Sequence, residues 1–369
     1  MLDLTGSAGD LGLVLAARTV PIILFMLLGG VIADRLPRHR VMLGADVVRL
    51  LGQGVMAGLV FGGQAAVWQL MALQAVHGTA SAMFTPAVSR LVQEIVPESR
   101  RPSANALRSM SHSATMIAGP LLAALLVVTA GAGPAMVLDA VTFGVSALCL
   151  SRLRLPRTGP APAAGPGRLV GELREGWLEF RSRSWVWSII SVASLANMLY
   201  AAFTVLGPGL SEQRFGGRGA WGVLLAAFGA GAVLGGAAAL WLRPRRPLRA
   251  ATLALSLFAA PPLALAAGSP GLPATAAAVL LGGVGLMLFN SLWETALQAE
   301  IPPGTLSRVS AYEWLGSYAA QPVGLTLAGT AAAHAGTRTT LLCAGLAQLV
   351  IGFAPLALRD VRELRARDR

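Results

Sequence analysis

Eleven apolar segments run down this chain, and the connections between them alternate between arginine-rich and nearly uncharged. The approximate spans are 12–33, 42–62, 66–90, 108–130, 134–151, 186–206, 220–242, 250–267, 274–298, 309–332 and 339–358. Most reach the roughly 20 helical residues that a ~30 Å hydrocarbon core requires. One set of connections holds "RLPRHR", "PESRRPSANALR", the stretch from Arg152 to Arg183, "RPRRPLR" and the tail from Arg359. The other set holds "GGQ", "AGAG", "SEQRFGGRG", "GSPGLP" and "HAGT". Cytoplasmic loops of membrane proteins carry the excess of arginine, so the first set is assigned to the cytoplasm. The pattern predicts an all-α polytopic membrane protein of about 11 transmembrane helices, multi-pass in the inner (plasma) membrane with a cytoplasmic C-terminus. A period-two alternation of apolar and polar residues, which a β-barrel needs, is absent.

Only 12% of the 369 residues are charged and 55% are hydrophobic, against about a quarter charged in a soluble domain. A net charge of +12 could suggest nucleic acid. The arginines, however, lie in short loops between apolar runs, where membrane orientation accounts for them, so the expected partner is the lipid bilayer and not nucleic acid. Cys149 and Cys343 lie in apolar runs without metal-ligand spacing and read as small hydrophobes. No Cys-His cluster, phosphate loop or nucleophile elbow is evident, so no metal, no cofactor and no catalytic residues are expected, and an enzyme is excluded.

The chain divides into an N-terminal half (1–151), a cytoplasmic linker (152–184), a C-terminal half (185–358) and a cytoplasmic tail (359–369). The linker begins "RTGPAPAAGPG" and continues "RLVGELREGWLEFRSR". Leu169, Leu173, Trp177 and Phe180 fall there at helical spacing among charges, which predicts an amphipathic helix on the cytoplasmic membrane surface. It serves either as a passive tether or as a regulatory element. The halves are copies of one another. A shift of 205 residues takes Phe84 to Phe289, Gln93 to Gln298, Pro97 to Pro302 and Gly119 to Gly324, and a shift of 206 takes Gly30 to Gly236 and Arg40 to Arg246. Parallel repeats about an axis along the membrane normal are a transporter architecture.

The stretch Gly30-Val31-Ile32-Ala33-Asp34-Arg35-Leu36-Pro37-Arg38-His39-Arg40 resembles the loop motif Gly-x-x-x-Asp-Arg-x-Gly-Arg-Arg/Lys of the major facilitator superfamily. Pro37 and His39 depart from it. "FTPAVSRLVQEIVPESRRPSANALRSMSHSATMIAGP" and "LQAEIPPGTLSRVSAYEW" are similar to the multidrug and macrolide efflux branch of that family, and the resemblance covers essentially the whole chain. It implies a fold of two pseudo-symmetric helix bundles. In the family, the loop carrying Gly30, Asp34, Arg35, Arg38 and Arg40 holds the cytoplasmic gate shut in the outward-facing state. Physically, Asp34 opposes the negative end of its helix dipole and needs a cationic or N–H partner, whereas the arginines suit that end and could simply set topology. The repeat position of Asp34 is Leu240, so an asymmetric gate is expected. Gly119 and Pro120 match the start of the family's exporter helix-packing motif, with Ala123 and Ala124 in place of its glycine pair.

Ionisable residues within spans mark candidate coupling or cavity positions. Arg18 lies about 24 Å along a helix from Asp34 and falls in the outer part of its span. Asp46 and Arg49, three apart, share a helix face and form either a structural pair or a coupling site. His77, near mid-span, either handles protons or packs through a hydrogen bond. Glu294 and Glu313 could each carry a coupling proton or bind a cationic substrate, and Glu313 could instead partner a gate arginine. Asp139 is expected at the outer interface.

The resemblance implies a secondary active transporter, working as a monomer, that exports small amphiphilic molecules by alternating access with the proton gradient as energy source. A membrane interaction protein that does not transport, or an inactive truncated relative, is the alternative. The family has two sets of six helices; five precede the linker here. The repeat register places the counterpart of the helix near Trp185 ahead of Met1, so the first of twelve helices is expected to be missing.

Overall fold

The computed structural model describes residues 5–35, 37–97, 100–153, 174, 177–217, 219–242, 244–267 and 271–363. Side chains fall outside that description at 26–35, at 38, and at scattered positions between 85 and 124 and between 303 and 311. Before the linker come α1 (Ala8–Arg35), α2 (Arg38–Phe61), α3 (Val67–Ile95), α4 (Arg101–Ala130) and α5 (Ala132–Ser151). After it come α6 (Ser184–Phe215), α7 (Gly219–Trp241), α8 (Pro247–Ser256), α9 (Ala260–Ala266), α10 (Leu272–Glu300), α11 (Pro303–Tyr318), α12 (Gln321–Ala335), α13 (Thr337–Phe353) and the short α14 (Arg359–Glu363). No strand occurs among the described residues. A chain this apolar must satisfy its backbone within each segment, and helices do so without leaving an unpaired edge.

Eight of these segments are long and apolar enough to cross a membrane: those in α1, α2, α5, α6, α7, α8 with α9, α10, and α13 with the turn that follows it. Helices α3, α4 and α11 with α12 occupy the other three expected spans, with more polar residues such as Gln69, Gln74 and His77 in α3. Two expected spans are interrupted. Between α8 and α9 the helix tightens at Leu257–Ala259, just before Pro261 and Pro262, whose missing N–H groups cannot continue the α-helical ladder. Helices α11 and α12 meet at a turn over 319–320, ahead of Pro322.

By packing, the chain forms two compact units, Met1–His112 with Leu125–Gly165, and Ser113–Ala124 with Pro166–Arg369. In the first, α1 packs on α3, and α2 packs on α3 and α5; in the second, α7 packs on α10, and α8 and α9 pack on α10 and α13. The order of helix pairs repeats between the units. A glycine holds the same place in both: a β-carbon at Gly78 would overlap the Arg18 carbonyl, and one at Gly283 the Phe228 carbonyl. Only glycine lets two helix backbones approach that closely. Helix α6 packs on α11, α12 and α13, and no described first-half helix corresponds to it.

The described part of the linker helix packs on the second unit. Residues 177–182 are helical, and Phe180 is buried in the second unit's core with Trp185, Ile189, Leu248 and Trp293. Trp177 stacks on Phe180 at 5.4 Å and lies 5.5 Å from Tyr312 of α11. Arg183 pairs with Glu179 at 2.6 Å and donates to the Glu300 carbonyl at the end of α10. The aromatic face of this helix therefore packs on protein, while Trp177 and Leu178 keep exposed surface. Leu169 and Leu173 lie outside the described residues.

Candidate functional site

The first unit holds a polar cluster inside its helix pairs. Asp46 and Arg49, one turn apart on α2, are both buried. Each carboxylate oxygen of Asp46 is taken: Arg49 Nη2 donates to Oδ1 at 2.7 Å and the Ser146 hydroxyl of α5 donates to Oδ2 at 2.6 Å. Arg49 Nε also reaches the Ala45 carbonyl at 3.3 Å. The guanidinium lies 4.2 Å from the Phe84 ring centre and 4.8 Å from that of Phe143, an arrangement that compensates a buried cation through ring quadrupoles as well as a counter-charge. His77, buried on α3, meets Phe143 edge to face at 5.7 Å.

Asp139 belongs to this cluster, which corrects its expected place at the outer interface. Helix α5 begins at Ala132, so Asp139 sits about two turns, or ~10 Å, inside it and accepts a hydrogen bond from Gln53 Nε2. Arg18 of α1 acts electrostatically on Asp139, Arg49 and His77. The structure thus brings together Arg18, Asp46, Arg49 and His77. It adds Gln53, Asp139 and Ser146, which the sequence reading had not joined to them. Their spacing carried a signal: 46, 49 and 53 share one helix face, as do 139, 143 and 146.

The second unit contains a cavity of about 140 Å³ between α6, α8, α10 and α11. Glu294 and Glu313 both line it, with Asn197, Asn290 and the aromatic walls Phe258, Phe289, Trp293, Trp314 and Tyr318. Trp293 and Ser317 line the cavity beside Glu313, and Glu294 lies within range of its charge. Asn197 Nδ2 donates to the Ser317 carbonyl at 2.9 Å, fixing α6 against α11. Two carboxyl groups framed by aromatic faces form a setting suited to an organic cation.

Of the loop motif, Gly30, Asp34, Arg35 and Arg38 lie outside the described side chains; Arg40 is exposed at the start of α2. Gly119 is exposed, with open space where a side chain would stand, and Pro120 lies outside the described side chains. The expected close packing does occur at the repeat position, where Gly324 sits against the Met198 carbonyl of α6.

A repeated set of membrane-length helix pairs, with ionisable groups held inside each set, defines a multi-pass transport bundle. The chain belongs to the Major Facilitator Superfamily, whose family model matches residues 1–325. The family is one of membrane transporters, not enzymes, and they move small molecules across a bilayer. Macrolide efflux protein A of Streptococcus pyogenes is 22% identical over 368 residues, covering 99% of this chain and 91% of that protein. The multidrug efflux pump Tap of Mycolicibacterium fortuitum is 26% identical over 376 residues, covering 99% and 90%. In fold, the chain is similar to a crystal structure of a peptide transporter, POT, in complex with sulfate, with a TM-score of 0.75 at 14% identity over 97% of this chain and 88% of that one.

Proposed function

We propose that the chain is an exporter of small amphiphilic compounds, driven by the proton gradient through alternating access, and that cationic cargo is held at Glu294 and Glu313. The observation that carries this reading is the second unit's cavity, where two carboxyl groups face aromatic walls. Anionic cargo would meet like charge there, and a neutral polar one would waste the aromatic surface. The names of the efflux relatives support the direction of transport. Gly30, Asp34, Arg35, Arg38 and Arg40 serve as the cytoplasmic gate motif, and the protein works as a monomer in the plasma membrane with its C-terminus in the cytoplasm.

Inverted membrane vesicles test the reading. Energised vesicles containing the protein should accumulate ethidium, a planar aromatic cation, and a protonophore should abolish the accumulation. Glu294→Gln and Glu313→Gln should each weaken it severely. Normal ethidium transport by both variants would remove the carboxylates from the cargo site. Failure of the unaltered protein to move any of a panel of cationic and neutral amphiphiles would remove the export reading altogether.

A further inference from the structure

We infer that Asp139 of α5, paired with Gln53 of α2, is the group that takes up and releases the coupled proton. This assignment rests on the proton-coupled reading above. It separates two carboxylates that lie in one cluster but have different surroundings. Asp46 has both oxygens occupied by donors, one of them the Arg49 guanidinium, so a proton there would displace a charge-assisted bond and leave a buried arginine uncompensated. Asp139 accepts a bond from a neutral amide and forms no ion pair among the described residues. The same amide is prepared for the other protonation state. Gln53 Nε2 donates to Asp139 Oδ2, while Gln53 Oε1 is buried without a partner among the described residues. A buried acceptor without a donor is costly and calls for a reason.

A proton arriving from water bonds to Asp139 Oδ1; no other bond breaks and no electrons move to an acceptor. The new O–H then donates to Gln53 Oε1, while Gln53 Nε2 keeps its bond to Oδ2, closing a two-bond acid–amide pair. Arg18 from α1 and Arg49 from α2 lie within electrostatic range of Asp139, while Asp46 pairs with Arg49 and the His77 imidazole of α3 faces both arginines. With Asp139 ionised, the two arginines and two aspartates cancel. With Asp139 protonated, the cluster keeps two arginines against one carboxylate, and Arg18 lies where α1 touches α3 backbone to backbone at Gly78. Proton binding thereby changes the electrostatics at a helix contact and not only at a side chain.

Proteoliposomes with an acidic interior provide the test, with ethidium as the probe. A pH step of about one unit should sustain about tenfold accumulation for one-for-one exchange. Asp139→Asn should abolish this accumulation and leave downhill ethidium exchange intact. If Asp139→Asn responds to the gradient as the unaltered protein does, the assignment fails and the coupling reading stands. If the unaltered protein itself ignores the gradient, both fall. Infrared difference spectra of the purified protein across pH supply a readout that needs no substrate: one protonated-carboxyl component of the unaltered spectrum should be lost in Asp139→Asn and kept in Asp46→Asn. An Asp139→Asn spectrum that keeps every protonated-carboxyl component of the unaltered protein would overturn the proposal.

Discussion

The two halves place helices in the same pairs but put different chemistry between them. Where the first half has Asp46, Arg49 and Gln53 on α2, the second has Thr252, Leu255 and Ala259, and the position of Asp139 is held by Ala344. Gly78 meets the Arg18 carbonyl, and its repeat position Gly283 meets the carbonyl of Phe228, one turn beyond the repeat position of Arg18. Conversely, Glu294 and Glu313 stand where the first half has Ser89 and Arg108. The repeated part is what close backbone packing requires, and the divergent part is the set of buried charges. A transporter that must respond to both a cargo and an ion gains from this separation, because each half can be tuned without disturbing the packing the halves share.

The largest effect expected from breaking this contrast is at Arg49. Arg49→Met strands Asp46 in a buried site, which should cost about 3–5 kcal/mol of stability. Leu255→Met at the repeat position swaps similar volumes and should cost less than ~1.5 kcal/mol. Unfolding followed in detergent compares the two. Adding Asp46→Leu to Arg49→Met should recover most of the loss, since an apolar pair can replace a buried ion pair. Equal losses at Arg49 and Leu255 would mean that the cluster's charges are not what holds the first half together.

Next comes the gate. Asp34→Asn should lower ethidium transport without lowering expression, by an amount matching one charge-assisted hydrogen bond, about 1.5–3 kcal/mol, or roughly ten- to a hundredfold. Leu240→Asn should change transport little, because the second-half copy of the loop has no acid to lose. Comparable losses at both positions would show a symmetric gate.

The membrane class, the spans and the repeat were legible in the sequence because apolar length and loop charge are set segment by segment. Breaks inside spans were harder to see: Pro261, Pro262 and Pro322 each lie in an apolar run that hydropathy alone reads as continuous. The charged cluster was half legible. Asp46 and Arg49 announce themselves by spacing on one helix, but the bond from Gln53 to Asp139 joins residues 86 apart in sequence. No local pattern gives that, and a short connection made Asp139 look interfacial. The cavity acids were picked out one by one as costly charges within spans, yet only folding places them in one cavity.

A smaller contrast lies in packing. Gly324→Ala pushes a methyl group into the Met198 carbonyl and should cost about 1–3 kcal/mol, whereas Gly119→Ala faces open space and should stay within about 0.5 kcal/mol. The same detergent unfolding measurements decide it. A loss at Gly119 as large as at Gly324 would show that a helix covers this face of α4 in the membrane.

The smallest expected effect concerns the linker helix. The Trp177 contacts with Phe180 and Tyr312 join it to α11, one residue before Glu313. A pair of such rings contributes roughly 0.5–1.5 kcal/mol beyond the area it buries. Trp177→Ala should therefore loosen the neighbouring turns of α11 without unfolding the protein. Hydrogen exchange in detergent should rise around Tyr312 and stay unchanged in α2 and α3, because the helix packs wholly within the second unit. Arg183→Gln is a useful companion. It removes both the pairing with Glu179 and the bond to the Glu300 carbonyl, so it should add faster exchange at the end of α10. If Trp177→Ala instead leaves α11 untouched and only weakens binding to anionic lipid vesicles, the aromatic face is a membrane anchor. The packing on Tyr312 would then contribute nothing to the cavity wall that holds Glu313.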